Sequence, residues 1–438
     1  MLKKVENTFN FFKNNNSFIV ILEKILISGF RFISLFFIIK LFGSSGQGVF
    51  SYVNTIWSIL LVLFLFGFDV SIIYYVSKKT DGTLSDVINN SVLFLFTAII
   101  ISFITLALLE NFSPIFDKLP KNYMYLFYGG MVIFLIRQIL RGILYGLGKF
   151  HLQVYGMFII EIGFSLLVLI FYIFNLNNIE LLLIFYLSLN FLASIIWCFQ
   201  INKEDWKYKF YFDTQLLKNQ IDYGLKVYVN SIILSLNLRF DAFIIIYILS
   251  EKNYAYYAIA VVFSEVVTYL PLAMSTLILN KISHRNEGYN LNMFPVFMAF
   301  MISAAVLIGI IGVLFIPIAY GDEYKSSIIP FIILLFGALP MGFNTISSYF
   351  LLGINQGNKL IISSIFSLFT IIILDLILIP HYGIIGAAIA SLISYSLSAL
   401  ITIKFLFQFS NEHEKSKYLY LIPSFKGAYL LLKNKLSI

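Results

Sequence analysis

Charge is scarce in this sequence. Lys, Arg, Asp and Glu supply 12% of its 438 residues, about half of the ~25% usual in soluble domains. A water-facing surface of this size cannot be covered with so little charge. Cysteine is nearly missing: Cys198 stands alone, which excludes an intramolecular disulfide. The four histidines, His151, His284, His381 and His413, are scattered and show no metal-ligand spacing. There is no Gly-rich phosphate loop, so direct use of ATP is not expected. No nucleophile, histidine and acid pattern is present, and no large external loop is expected to hold one. The expectation is therefore a protein with no catalytic residues, no metal and no cofactor, and not an enzyme. No cleavable leader is expected. Residues 1–16 are polar and Asn-rich, and the first apolar run, 17–42, is too long for a signal core.

What the sequence has in abundance is apolar length. Hydrophobic residues make up 60%, aromatics 18%, with 47 Phe, and the mean hydropathy is +0.90. A membrane helix needs ~20 apolar residues. Twelve spans are predicted: 17–42, 50–76, 87–109, 123–146, 151–174, 180–200, 222–249, 254–280, 293–318, 327–352, 358–380 and 384–408. Their breaks carry turn residues, such as Gly43-Ser44-Ser45-Gly46 and Pro380 to Gly383. The longest polar break, 201–221, contains NKEDWKYKF at mid-chain. It divides the chain into an N-terminal six-helix bundle (1–200), a cytoplasmic linker (201–221), a C-terminal six-helix bundle (222–408) and a basic interfacial tail (409–438). No break is long enough to fold as a soluble domain.

The net charge of +8 would raise nucleic acid as a partner of a soluble chain. Here topology explains it, and no nucleic acid is expected. With the N-terminus in the cytoplasm, inner segments hold eighteen Lys and Arg and outer segments hold four, Lys118, Lys121, Lys252 and Lys325. That bias follows the positive-inside rule and places both termini inside. The halves also look alike. Arg31 in the first span matches Arg239 in the seventh, 208 positions on, and LeuTyrGly at 144–146 resembles LeuLeuGly at 351–353. An even number of spans per half gives parallel repeats, a known transporter arrangement.

The charges within spans carry the functional signal, because each costs at least ~2.5 kcal/mol in the bilayer unless it faces a polar interior. Lys24, Ser28 and Arg31 share one helical face, and Arg31 lies roughly 21 Å into its span. Ser231, Ser235 and Arg239 line one stripe of the seventh span; Lys226, Asn230, Asn237 and Asp241 line another. Arg137 and Arg141 sit in the fourth span and Glu161 in the fifth, with Arg137 and Glu161 at similar depth and able to pair. That pairing is either purely structural or part of a site. Asp69, Glu265 and Asp375 complete the buried acids. Arg141, Lys40, Lys226 and Lys404 lie near span ends, where long side chains snorkel to the interface. Guanidinium forks bind phosphate oxygens bidentately. Deep acids suit proton or cation binding. The substrate-binding candidates are Arg31, Arg239, Lys24 and Arg137. The ion-coupling candidates are Glu265, Asp69, Glu161 and Asp375.

Several segments resemble the polysaccharide-transporter flippases of the multidrug/oligosaccharidyl-lipid/polysaccharide (MOP) exporter superfamily. They are QGVFSYVNTIWSILLVLFLFGFDVSIIYYVSKK (47–79), RGILYGLGKF (141–150), YGLKVYVNSIILSLNLRFD (223–241), YGDEY (320–324), LLGINQGNK (351–359) and IPHYGIIGAAIASLISYS (379–396). The nearest group is the O-antigen (Wzx-type) flippases. The resemblance implies an all-α integral membrane protein with about 12 transmembrane helices in two six-helix bundles around a central cavity. It implies transport of a polyprenyl-diphosphate-linked oligosaccharide, an O-antigen or capsule repeat unit, across the bacterial inner membrane, driven by H+ or Na+. Cationic residues at the Arg31 and Arg239 positions would meet the anionic substrate. A polysaccharide polymerase, a chain-length regulator and membrane lipids are implied partners. Asp375 departs from the pattern, where Asn is expected. Two alternatives remain: a membrane-embedded glycan polymerase or ligase, which usually needs a larger outer loop, and a small-molecule exporter of the same superfamily.

Overall fold

The computed structural model describes residues 15–78, 84–112, 116, 119, 121–201, 213–269, 271–272, 293–353 and 356–409. Among these the fold is helical throughout. The long helices are α1 (Asn15–Leu65), α2 (Phe68–Lys78), α3 (Leu84–Phe112), α4 (Met124–Gly146), α5 (Phe150–Ile173), α6 (Ile179–Gln200), α7 (Thr214–Ile248), α8 (Glu251–Glu265), α9 (Met293–Tyr320), α10 (Ile328–Gly353) and α11 (Gly357–Phe409). Short 3-10 turns at Lys121–Tyr123, Val266–Thr268 and Asp322–Ser327 join some of them.

Nine helices among the described residues are long and apolar enough to cross a membrane. Two of them are folded pairs. At 51 residues, α1 would run to about 77 Å if straight, more than twice a ~30 Å hydrocarbon core. It breaks at Gly43, whose φ of 70° is open to glycine. The 53-residue α11 breaks likewise at Gly383, φ 58°. Counting each pair as two crossings and adding α8 gives about a dozen helices, an all-α membrane architecture. The predicted second span, 50–76, is not continuous: Phe66 and Gly67 both take positive φ, 48° and 68°, and separate α1 from α2. The predicted eighth span begins as α8, but its end beyond 272 lies outside the described residues, as do most of the 201–221 linker and the tail from 410.

Side-chain caps start two helices. Asn178 accepts from the Leu181 N–H at 3.0 Å and begins α6. Asp213 accepts from the Leu216 N–H at 2.9 Å and begins α7, each satisfying a donor that a helix start leaves open.

The described helices form two compact units, Ile25–Ala255 and Tyr256–Ile438, the latter with Met1–Lys24. In the first, aromatic residues fill the core. Trp57 is buried against Phe127, Phe134 and Tyr186. Trp197 is buried and donates to the Leu152 carbonyl at 3.1 Å. Small residues make room for them: Gly130 faces the Trp57 indole and Gly156 the Trp197 indole, the close approach membrane helices favour. Asn90 on α3 is buried and donates to the Asp213 carbonyl at 3.0 Å and to Gln220 at 3.3 Å on α7. Across the break in the chain, Tyr228 of α7 donates to the Leu63 carbonyl at 3.0 Å. The Tyr223 ring stacks on Tyr74, centroids 4.4 Å apart.

In the second unit, the two halves of α11 return on each other through hydroxyls. Ser363 meets Ser398 at 2.8 Å and Thr402 at 3.0 Å, and Ser367 meets Ser394 at 2.7 Å. Asn344 of α10 joins them, donating to Ser398 at 3.1 Å and accepting from Thr402 at 2.7 Å. Tyr256, Tyr320 and Tyr324 form an aromatic cluster, with Tyr256 donating to Glu323 at 3.3 Å. Exposed side chains are large and apolar, including Phe96, Ile100, Leu314, Ile318 and Phe369, as a lipid-facing surface requires.

Candidate functional site

The site begins with a staple between α1 and α5. The hydroxyls of Ser34 and Ser165 lie 2.9 Å apart, and each is 3.0 Å from the Phe30 carbonyl oxygen. Arg31 stands about one turn before Ser34, and Glu161 one turn before Ser165. The staple therefore sets these two side chains opposite each other. Arg31 donates through Nε at 3.2 Å and Nη2 at 3.1 Å, both to Glu161 Oε1. The Glu161 side chain is 7% exposed and that of Arg31 is 53% exposed. The acid sits behind and the cation in front.

Arg137 does not take the predicted place beside Glu161 as its hydrogen-bond partner. It reaches from α4 to α6 and donates to Asn190 Oδ1, with its guanidinium over the Phe134 ring at 5.0 Å. The reason is the α1–α5 staple, which gives Glu161 to Arg31. Asn190 is fully buried, and its own amide donates to the Tyr186 carbonyl at 2.7 Å. Arg31, Arg137, Glu161 and Tyr186 still share one electrostatic neighbourhood. Arg141 belongs to it as well and links it to Asp69 on α2. Arg141 also donates to Gln138 at 3.3 Å.

Three guanidiniums, Arg31, Arg137 and Arg141, thus form a chain of neighbouring charges with two carboxylates, Glu161 and Asp69. These five groups carry a formal excess of one positive charge within a bundle of apolar helices. Such a site attracts anions and matches phosphate oxygens through planar forks.

The other predicted residues stand elsewhere. Arg239 is half-buried on α7, with buried Asn237 and Asp241 two residues to either side. Glu265 ends α8, half-buried, and its carbonyl accepts from Thr268 at 2.7 Å. Asp375 is completely buried in the first half of α11. The side chain of Lys24 lies outside the described residues. Among the described residues, no group of three or more His, Cys, Asp or Glu is placed to hold a metal ion.

Four site residues are uncharged and do not stand out in the sequence: Asn190, Tyr186, Ser34 and Ser165. A signal existed on α6, where Tyr186, Asn190 and Ser194 recur every four residues, a polar stripe on an otherwise apolar helix.

A family description, polysaccharide biosynthesis protein, matches residues 14–279, more than half of the chain. The chain belongs to the polysaccharide biosynthesis protein family. An uncharacterized membrane protein of Methanocaldococcus jannaschii is 26% identical over 397 residues, covering 82% of this chain and 77% of that protein. Among solved structures, the lipid II flippase MurJ in an inward closed conformation aligns with a TM-score of 0.70 and 18% identity, covering 88% of this chain and 87% of that one. A MATE family multidrug resistance transporter of the MOP superfamily, inward-facing, gives 0.62 at 16% identity over 86% and 92%. A MOP superfamily transporter from Pyrococcus furiosus gives 0.62 at 16% identity over 89% and 93%. This family member therefore has the fold of MOP superfamily transporters and is a multi-pass membrane protein.

Proposed function

We propose that the protein is a flippase that moves a polyprenyl-diphosphate-linked oligosaccharide across the bacterial inner membrane by alternating access, with both termini in the cytoplasm. The observation that carries this reading is the net-positive arginine cluster around the Arg31–Glu161 pair, built inside lipid-facing helices of a polysaccharide biosynthesis family member. A diphosphate carries the charge and the oxygen geometry that such a cluster binds. Arg239 is assigned to the same anionic path by its position in the repeat, and Lys24 by the helical face it shares with Arg31 in the sequence. Glu265, Asp69, Glu161 and Asp375 are the acids available for coupling to H+ or Na+. A polysaccharide polymerase and a chain-length regulator would act on what the protein delivers, an O-antigen or capsule repeat unit.

The test is made in cells lacking the gene. Surface glycan should be lost and the lipid-linked precursor should accumulate on the inner leaflet. Complementation with wild type should restore the glycan, and Arg31→Ala should not. Unpolymerised precursor reaching the outer leaflet of the deletion strain would favour a glycan polymerase instead. The likeness to MATE transporters supports a second reading, export of a small molecule. Intact glycan together with new drug sensitivity in the deletion strain would establish that reading over ours.

A further inference from the structure

We propose that Glu161 is a built-in counter-ion which the anionic head group must displace from Arg31, so that Glu161 sets how strongly the site holds anions. This rests on the anion-site reading above and adds a rule for its charge.

The geometry has two parts. Glu161 is nearly enclosed while Arg31 is half open, so an incoming anion meets the guanidinium before the carboxylate. Both hydrogen bonds of the pair go to the single oxygen Oε1, from Nε and Nη2, and Nη1 takes no part in the pair. The neighbouring cations are held by uncharged amides: Arg137 by Asn190 and Arg141 by Gln138. An amide satisfies a guanidinium N–H but offsets none of its charge. In the resting cluster, the carboxylate of Glu161 is a charge that balances Arg31. Removing it takes one negative charge from among three guanidiniums in a low-dielectric interior.

When a diphosphate takes over Arg31, the same carboxylate becomes a liability. It is left buried beside a second anion. The groups around it are Arg31 from α1, Arg137 from α4 and Tyr186 from α6, with Arg141 beyond Arg137 and Asp69 on α2 beyond Arg141.

The test uses the full chain in lipid nanodiscs and inorganic pyrophosphate as probe, with binding measured by calorimetry. Glu161→Gln should bind pyrophosphate about tenfold or more tighter than wild type at neutral pH, since one opposing charge at close range is gone. Glu161→Asp, which keeps the charge, should stay near wild type. Equal or weaker binding by a folded Glu161→Gln overturns the counter-ion role. Where that variant does not fold, Glu161→Ala takes its place, and equal or weaker binding by Glu161→Ala overturns the role equally. Arg31→Gln separates the layers. If it leaves pyrophosphate binding intact, the anion-site reading itself fails. If it abolishes binding while Glu161→Gln does not tighten it, only the present proposal fails.

Discussion

The backbone at Gly67 rests directly against the backbone at Gly224. A Cβ on Gly224 would stand 2.9 Å from the Phe66 carbonyl oxygen, and a Cβ on Gly67 would collide with the carbonyl of Gly224 itself. Gly67 also holds φ at 68°, a conformation costing a side-chain-bearing residue roughly 1–2 kcal/mol. Gly67→Ala should therefore lose about 2–5 kcal/mol, strain and overpacking together. Gly224→Ala, which meets only the crowding, should lose about 1–3 kcal/mol. Thermal unfolding of the purified variants checks the order. A Gly67→Ala protein as stable as wild type would show that α1 and α2 do not break against α7.

Removing Arg31 should have two separable effects. Arg31→Ala leaves Glu161 buried without its ion-pair partner, which is destabilising by about 1–3 kcal/mol, a figure discounted from the fully buried case because Arg31 is half open. Adding Glu161→Gln should return most of that stability. Surface glycan should stay low in both the single and the double variant. Recovery of glycan in the double variant would mean that Arg31 serves folding alone.

Asn190 is the anchor of Arg137. Asn190→Leu fills the space but removes the acceptor, leaving a guanidinium under-satisfied in the interior at a cost of about 1–3 kcal/mol. Glycan export should fall several-fold while the protein still reaches the membrane. Asn190→Gln should recover part of the loss. Normal export with Asn190→Leu would remove Arg137 from the path.

The hydroxyl pairs of α11 should matter little one at a time. Polar contacts between membrane helices average ~0.6 kcal/mol each. Ser394→Ala and Ser398→Ala should each lower the unfolding free energy by about that amount, read from thermal unfolding in detergent. A loss several times larger for either would mark a function beyond packing.

Much of the fold was legible because membrane helices announce themselves by apolar length, and turns such as Pro380 to Gly383 fall between them. The break at Phe66-Gly67 was not legible. The stretch before it is uniformly apolar, a lone glycine in such a run is a weak signal of a break, and the close approach to Gly224 that accompanies the bend is a tertiary contact. For the site, charge in an apolar run exposed Arg31, Arg137 and Glu161 as residues. Which of them meet depended on helix packing: depth alone suggested Arg137 for Glu161, whereas the Ser34–Ser165 staple decides for Arg31. Uncharged Asn190 gave a weaker signal, since an amide in a span costs less and stands out less than a charge.

The paired hydroxyls along α11 have a kinematic meaning. Ser363 with Ser398 and Ser367 with Ser394 are matched step for step in opposite directions. A slide of one residue, about 1.5 Å, would put every one of them out of register at once. The two arms of α11, clasped further by Asn344, cannot creep past each other. They can only swing together, as the blade of a single oar.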